Sequence, residues 1–164
     1  MYPTNSTLPI TYPDGTQVTF GEYGMRICEK GSDMTFGDYG VENLLHIEKT
    51  ELYKSLAGKG YKTVEFILLR PEAMELWYVE AKKTLPDEKN SERFEENLSE
   101  ITQKFIDSFM LTCGIKHGEH FGKIDNFING DEIFKNGNKV VFVLVIKYRK
   151  GKLMAIAEAI KQKL

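Results

Sequence analysis

Two apolar runs, each interrupted by a carboxylate, limit what this chain can fold into more than any other feature. The first is Thr63-Val64-Glu65-Phe66-Ile67-Leu68-Leu69 and the second is Leu76-Trp77-Tyr78-Val79-Glu80-Ala81-Lys82. In an extended segment alternate side chains share a face, so Leu76, Tyr78, Glu80 and Lys82 point one way and Trp77, Val79 and Ala81 the other. Both faces are largely apolar, the pattern of a strand covered on both sides. An uncompensated carboxylate in such a place costs several kcal/mol.

Between the runs lies Arg70-Pro71-Glu72-Ala73-Met74, a short connection in which Pro71 suits a turn and cannot extend a ladder. A hairpin centred between Glu72 and Ala73 sets Glu65 opposite Glu80. Directly opposed side chains on one face stand ~4.5–5.5 Å apart at Cβ, and like charges there repel. Three things can relieve the repulsion: a shared proton, a nearby cation such as Lys82, or a bound divalent metal. With a metal, two carboxylates and a lysine make a hydrolytic site for phosphodiesters, in which the lysine stabilises developing charge or helps deprotonate water.

Upstream, the apolar positions Val41, Leu44, Leu45, Leu52 and Leu56 have helical spacing and predict a helix from about 41 to 56, opened by Asp38 and ended by Gly58 and Gly60. Glu48 falls on its inward stripe. An acid on this helix, an acid on one strand and Glu-x-Lys on the next resembles the PD-(D/E)xK nuclease superfamily, in particular its small bacterial members. The residues that carry the likeness are Ile47-Glu48-Lys49, Val64-Glu65-Phe66-Ile67 and Val79-Glu80-Ala81-Lys82-Lys83. The 105–110 segment and the closing strand and helix of 140–164 add to it, so it covers roughly residues 38–164. The sequence departs from the superfamily pattern at two points: Glu65 stands where an aspartate is usual, and Val64 where a proline is.

The resemblance implies an α/β fold with a central mixed β-sheet flanked by helices, restriction-endonuclease-like, here with an N-terminal β-hairpin. It also implies a metal-dependent nucleic-acid phosphodiesterase. Glu65 and Glu80 would be the metal ligands for Mg or Mn, Lys82 the charge-stabilising or base-positioning residue, and Glu48 an outer acid. DNA or RNA would be the partner. The alternatives are a catalytically inactive binding or regulatory module of the same fold, and a structural interaction domain whose buried ion pair only fixes the sheet.

The length of 164 residues and a 41% hydrophobic composition suit one domain over 1–164, with 1–37 as a hairpin and loop extension and 38–164 as the core. The longest apolar run, 140–146, falls far short of the ~20 residues needed to cross a bilayer. The expectation is a soluble cytoplasmic protein; Cys28 and Cys113 offer no disulfide framework. Homo-oligomerisation stays open.

Leu8–Tyr12 and Gln17–Phe20 flank Pro13-Asp14-Gly15-Thr16, a hairpin signal. Met25–Glu29 reads as a short strand, Gly31–Gly40 as loop, and Ser91–Cys113 as a helix carrying Phe94, Leu98, Ile101, Phe105, Phe109 and Met110. The 140–146 run then reads as a buried strand and Lys152–Lys163 as the last helix. From Lys135 onward there are eight Lys or Arg against one acid, while the preceding residues carry fourteen against twenty-three. A phosphate-binding face and a set of solvated strand-end residues both fit this, and the second needs fewer assumptions. Cys113, His117 and His120 have ligand chemistry suited to zinc, but no fourth ligand is evident and the glycines around them read as loop. His46 reads as a helix-surface residue or a local acid–base partner of Glu48.

Overall fold

The structure is a computed structural model that describes residues 9–21, 24–56, 58–87, 89–116, 138–148 and 153–164. It is a mixed α/β arrangement with two four-stranded sheets. The first sheet is antiparallel in the order β1 (Ile10–Thr11), β2 (Gln17–Gly21), β3 (Gly24–Glu29), β4 (Met34–Tyr39). The second has the order β5 (Leu44–Leu45), β6 (Phe66–Arg70), β7 (Glu75–Thr84), β8 (Lys139–Tyr148). Its first two pairings are antiparallel and β7–β8 is parallel. A parallel neighbour requires a crossover, and α2 (Ser91–Lys116) lies in the connection between β7 and β8. Two other α-helices are described, α1 (Glu51–Ser55) and α3 (Leu153–Lys163).

Alternation along the second sheet builds three layers. Ile67 and Leu69 of β6, Leu76 and Tyr78 of β7, and Val140, Phe142 and Leu144 of β8 pack in one cluster with Leu98, Ile101 and Phe105 of α2 and Ile156 and Ile160 of α3. Their neighbours Phe66, Leu68, Trp77, Val79, Val143 and Val145 pack instead against Val18, Met25, Ile27 and Phe36 of the first sheet. The central sheet is therefore covered on both faces, as its uninterrupted apolar runs require.

The 41–56 segment is not one helix. It consists of a 3-10 turn at Val41–Asn43, the two-residue strand β5, a second 3-10 turn at Ile47–Lys49, and α1. Leu44 enters the cluster facing the first sheet and Leu45 the cluster facing the helices. Consecutive residues buried on opposite sides have a period of two, which a helix cannot supply. Pairing of Leu44 with Leu68 and Leu45 with Ile67 decides the matter in favour of strand. Thr50 then restarts the chain as a helix, its hydroxyl accepting from the Tyr53 amide at 3.2 Å as an N-cap.

Other differences follow the same physics. Residues 34–39, expected as loop, form β4 against β3; Asp38 lies in that strand and pairs with Arg26 at 2.8 Å instead of capping a helix. Met110 is 60% exposed, and Leu111 takes the inward position on α2. His46 is buried, with its ring edge-on to Tyr12 and Nδ1 without a hydrogen-bond partner. Burial, and then the nearby Lys49, push its pKa down to about 4. No helix among the described residues is long and apolar enough to cross a membrane.

Candidate functional site

Glu65 and Glu80 meet because of the β6–β7 register. Phe66 pairs with Val79, and the next step outward sets Glu65 beside Glu80, with the Glu65 amide donating to the Val79 carbonyl at 3.0 Å. The connection is the short 3-10 turn Pro71–Ala73, closed by Met74 in the left-handed region at φ 52°. Residues leading into Glu65 are fastened to α2: the Lys62 amide donates to Asp107 at 2.9 Å and the buried Val64 amide to the Ser108 hydroxyl at 2.9 Å. Strand pairing on one side and helix on the other fix where the Glu65 side chain starts.

Both carboxylates turn toward α2 and converge on one ammonium, that of Lys104. Its Nζ lies 2.9 and 3.1 Å from the two Glu80 oxygens and 3.6 Å from Glu65 Oε1. Lys82 shares the face, 3.2 Å from Glu80 Oε1, and also reaches Glu100 of α2 at 3.5 Å. Glu80 is completely buried, whereas the side chains of Lys104 and Glu65 keep only 15% and 16% exposure. Glu48 sits on the second 3-10 turn beside the buried Thr63, whose hydroxyl donates to Glu48 Oε1 at 3.2 Å.

The structure thus gathers Glu65, Glu80 and Lys82 and sets Glu48 alongside. It adds Lys104 and Glu100, which sequence reasoning missed. The signal for Lys104 was present: two inward carboxylates demand a cation, and position 104 adjoins Phe105 and follows Ile101 by one turn on the apolar stripe of α2. Cys113 is half-buried on α2, while His117 and His120 lie outside the described residues.

Burial and then the neighbouring Glu80 drive the Glu65 pKa up to about 8, with Lys104 opposing. Glu80 is also raised, by burial, against the pull of Lys104 and Lys82. Burial pulls Lys104 down, but Glu80 and then Glu65 more than offset it, and its pKa is raised.

This has a consequence for stability. Glu65 titrates at 4.5 in the open chain and at about 8 when folded, so it binds a proton in the native state over an interval where the unfolded chain has released it. Its contribution is full below about pH 4.5 and is lost as pH rises toward 8. The melting temperature should fall between about pH 5 and pH 8, and Glu65→Gln, which cannot ionise, should flatten that decline. A Glu65→Gln profile as steep as wild type would show that another group carries it.

The donor chemistry fits a hard divalent cation. Two carboxylates, Glu80 on β7 and Glu65 one residue before β6, reach a single cation position. Among the described residues no group of three or more His, Cys, Asp or Glu forms a metal cage, so an ion at this pair would keep several water ligands, as magnesium commonly does. Comparison of the chain with protein-family models, curated proteins and solved structures finds no match.

Proposed function

We propose that this protein is a metal-dependent nucleic-acid phosphodiesterase with a restriction-endonuclease-like core. The single observation that carries the reading is the convergence of Glu65 and Glu80 on one cation position with Lys82 on the same face. The order of elements supports it: an antiparallel pair with one acid just before β6 and the other on β7, then α2, then a parallel strand and a closing helix. Glu65 and Glu80 would hold magnesium or manganese, which when bound supplies a nucleophilic water and neutralises phosphate charge. Lys82 stabilises charge developing on the phosphoryl oxygens, and Glu48, through Thr63, borders the site as an outer acid.

The nucleic-acid character of the substrate rests on the resemblance to the PD-(D/E)xK superfamily. The basic C-terminal residues contribute less, because Lys147 pairs with Asp33 at 2.7 Å and Lys163 with Glu95 at 3.1 Å. Those two are structural partners of nearby acids, with Lys147 tying β8 to the β3–β4 turn.

A second reading has its own support. Lys104, bonded to both oxygens of Glu80, already supplies the positive charge that a metal would bring. On that reading the chain is a catalytically inactive module of the same fold, binding a nucleic acid or a protein. The discriminating experiment incubates the protein with single-stranded, duplex and branched DNA and RNA in manganese, magnesium or chelator. Cleavage that requires the metal supports the first reading; intact substrates under every condition select the second.

A further inference from the structure

We propose that Lys104 is a built-in competitor for the divalent cation, holding the carboxylate pair closed until a metal displaces it. The inference rests on reading the pair as a metal centre and assigns a regulatory role to a residue which that reading does not use. Three distances carry it: 2.9 and 3.1 Å to the two oxygens of Glu80 and 3.6 Å to Glu65. A cation ligated by both carboxylates would need the space this ammonium fills, and two positive charges cannot share it at contact distance.

The competitor is well anchored. Lys104 extends from the middle of a 26-residue helix, between turns fixed by the buried Ile101 and Phe105. It cannot leave through helix motion without disturbing the core, so displacement must come from its own flexible side chain. The groups facing it are Glu80 and Glu65 from the sheet, with Glu48 a more distant acidic neighbour. Lys82 is a different case: it stands farther from Glu80, 3.2 Å from Oε1, and is drawn outward to Glu100 at 3.5 Å, so it can stay in place when a metal enters. The two lysines therefore divide the work, one excluding the ion and the other remaining beside it.

The test is manganese binding, read by calorimetry and by the ion's paramagnetic effect on water relaxation, for wild type, Lys104→Gln and Lys104→Arg. Removing the charge should tighten manganese binding at least tenfold, whereas Lys104→Arg, which keeps it, should stay near wild type. Wild-type binding that Lys104→Gln fails to strengthen would overturn the competition while leaving the metal centre standing. Binding by none of the three proteins would sink both. Melts with and without manganese cover loss of stability in the variant: the metal should raise the melting temperature of Lys104→Gln more than that of wild type. A Lys104→Gln protein that no concentration of manganese brings to a folded state would also overturn the proposal, because the metal would then be unable to take the ammonium's place.

Discussion

Glu80→Ala should destabilise the protein by about 3 kcal/mol and abolish metal binding at the same time. Breaking a buried ion pair by deleting one partner costs ~3–5 kcal/mol, and Glu80 is the fully buried member that two lysines share. The lower end applies because Lys104, released from Glu80, still has the Glu65 carboxylate at 3.6 Å, and Lys82 still has Glu100. For a chain of this length that corresponds to a fall of roughly 6–12 °C in melting temperature. Glu80→Gln keeps the volume and should lose less stability, yet it removes the charge a metal needs. Urea denaturation of both variants alongside manganese titration checks the pair of effects. Wild-type stability in Glu80→Ala would contradict the account of Lys104 and Lys82 as partners held by this carboxylate.

Lys82→Ala should do the opposite, sparing the fold and removing the chemistry. Glu80 keeps both bonds from Lys104 when Lys82 is gone, and Glu100, 42% exposed, is hydrated instead. The partly exposed Lys82–Glu100 pair contributes only about 0–1 kcal/mol, and the buried Glu80 stays paired through Lys104. If Lys82 acts on charge developing in the transition state, metal-dependent cleavage should drop on the order of a hundredfold, about 2.7 kcal/mol of barrier. Manganese affinity should stay near that of wild type, since Lys82 is not a ligand and sits to one side. Undiminished cleavage by Lys82→Ala would reduce this lysine to a structural partner of Glu80 and Glu100.

The heart of the site could be read from the sequence because its signal was local. Two carboxylates inside apolar runs separated by a short Pro-containing turn leave few registers, and the register that sets Glu65 beside Glu80 is the one the strands adopt. The long helix and the two-sided burial of β7 were legible for the same reason, since period 3.6 and period 2 are written in contiguous residues. What was not legible depended on contacts distant in sequence. Leu44 and Leu45 suit a helical stripe, and only pairing with Leu68 and Ile67 makes them strand. Residues 34–39, read as loop because of the Gly and Asp in the 31–40 segment, become β4 because β3 offers an edge. Lys104 lies 24 residues from Glu80; its place beside the apolar stripe of α2 was written in the sequence, but which carboxylates it meets was not. Its role emerges only when α2 is laid over the sheet.

That arrangement also shows why the acids and the lysine of the helix must be considered together. Glu65 is raised to about 8 by burial and by Glu80, so a proton and the Lys104 ammonium both neutralise the folded site, and on the proposed reading a metal would compete with them. These alternatives predict different occupants of one small volume. The most direct measurement is a crystal structure of wild-type protein soaked in manganese, with anomalous scattering recorded to locate the metal. The account predicts an anomalous peak about 2.1 Å from oxygens of both Glu65 and Glu80, with the Lys104 ammonium withdrawn from Glu80. Lys104 still bonded to both Glu80 oxygens, with no anomalous peak at the carboxylate pair, would contradict it.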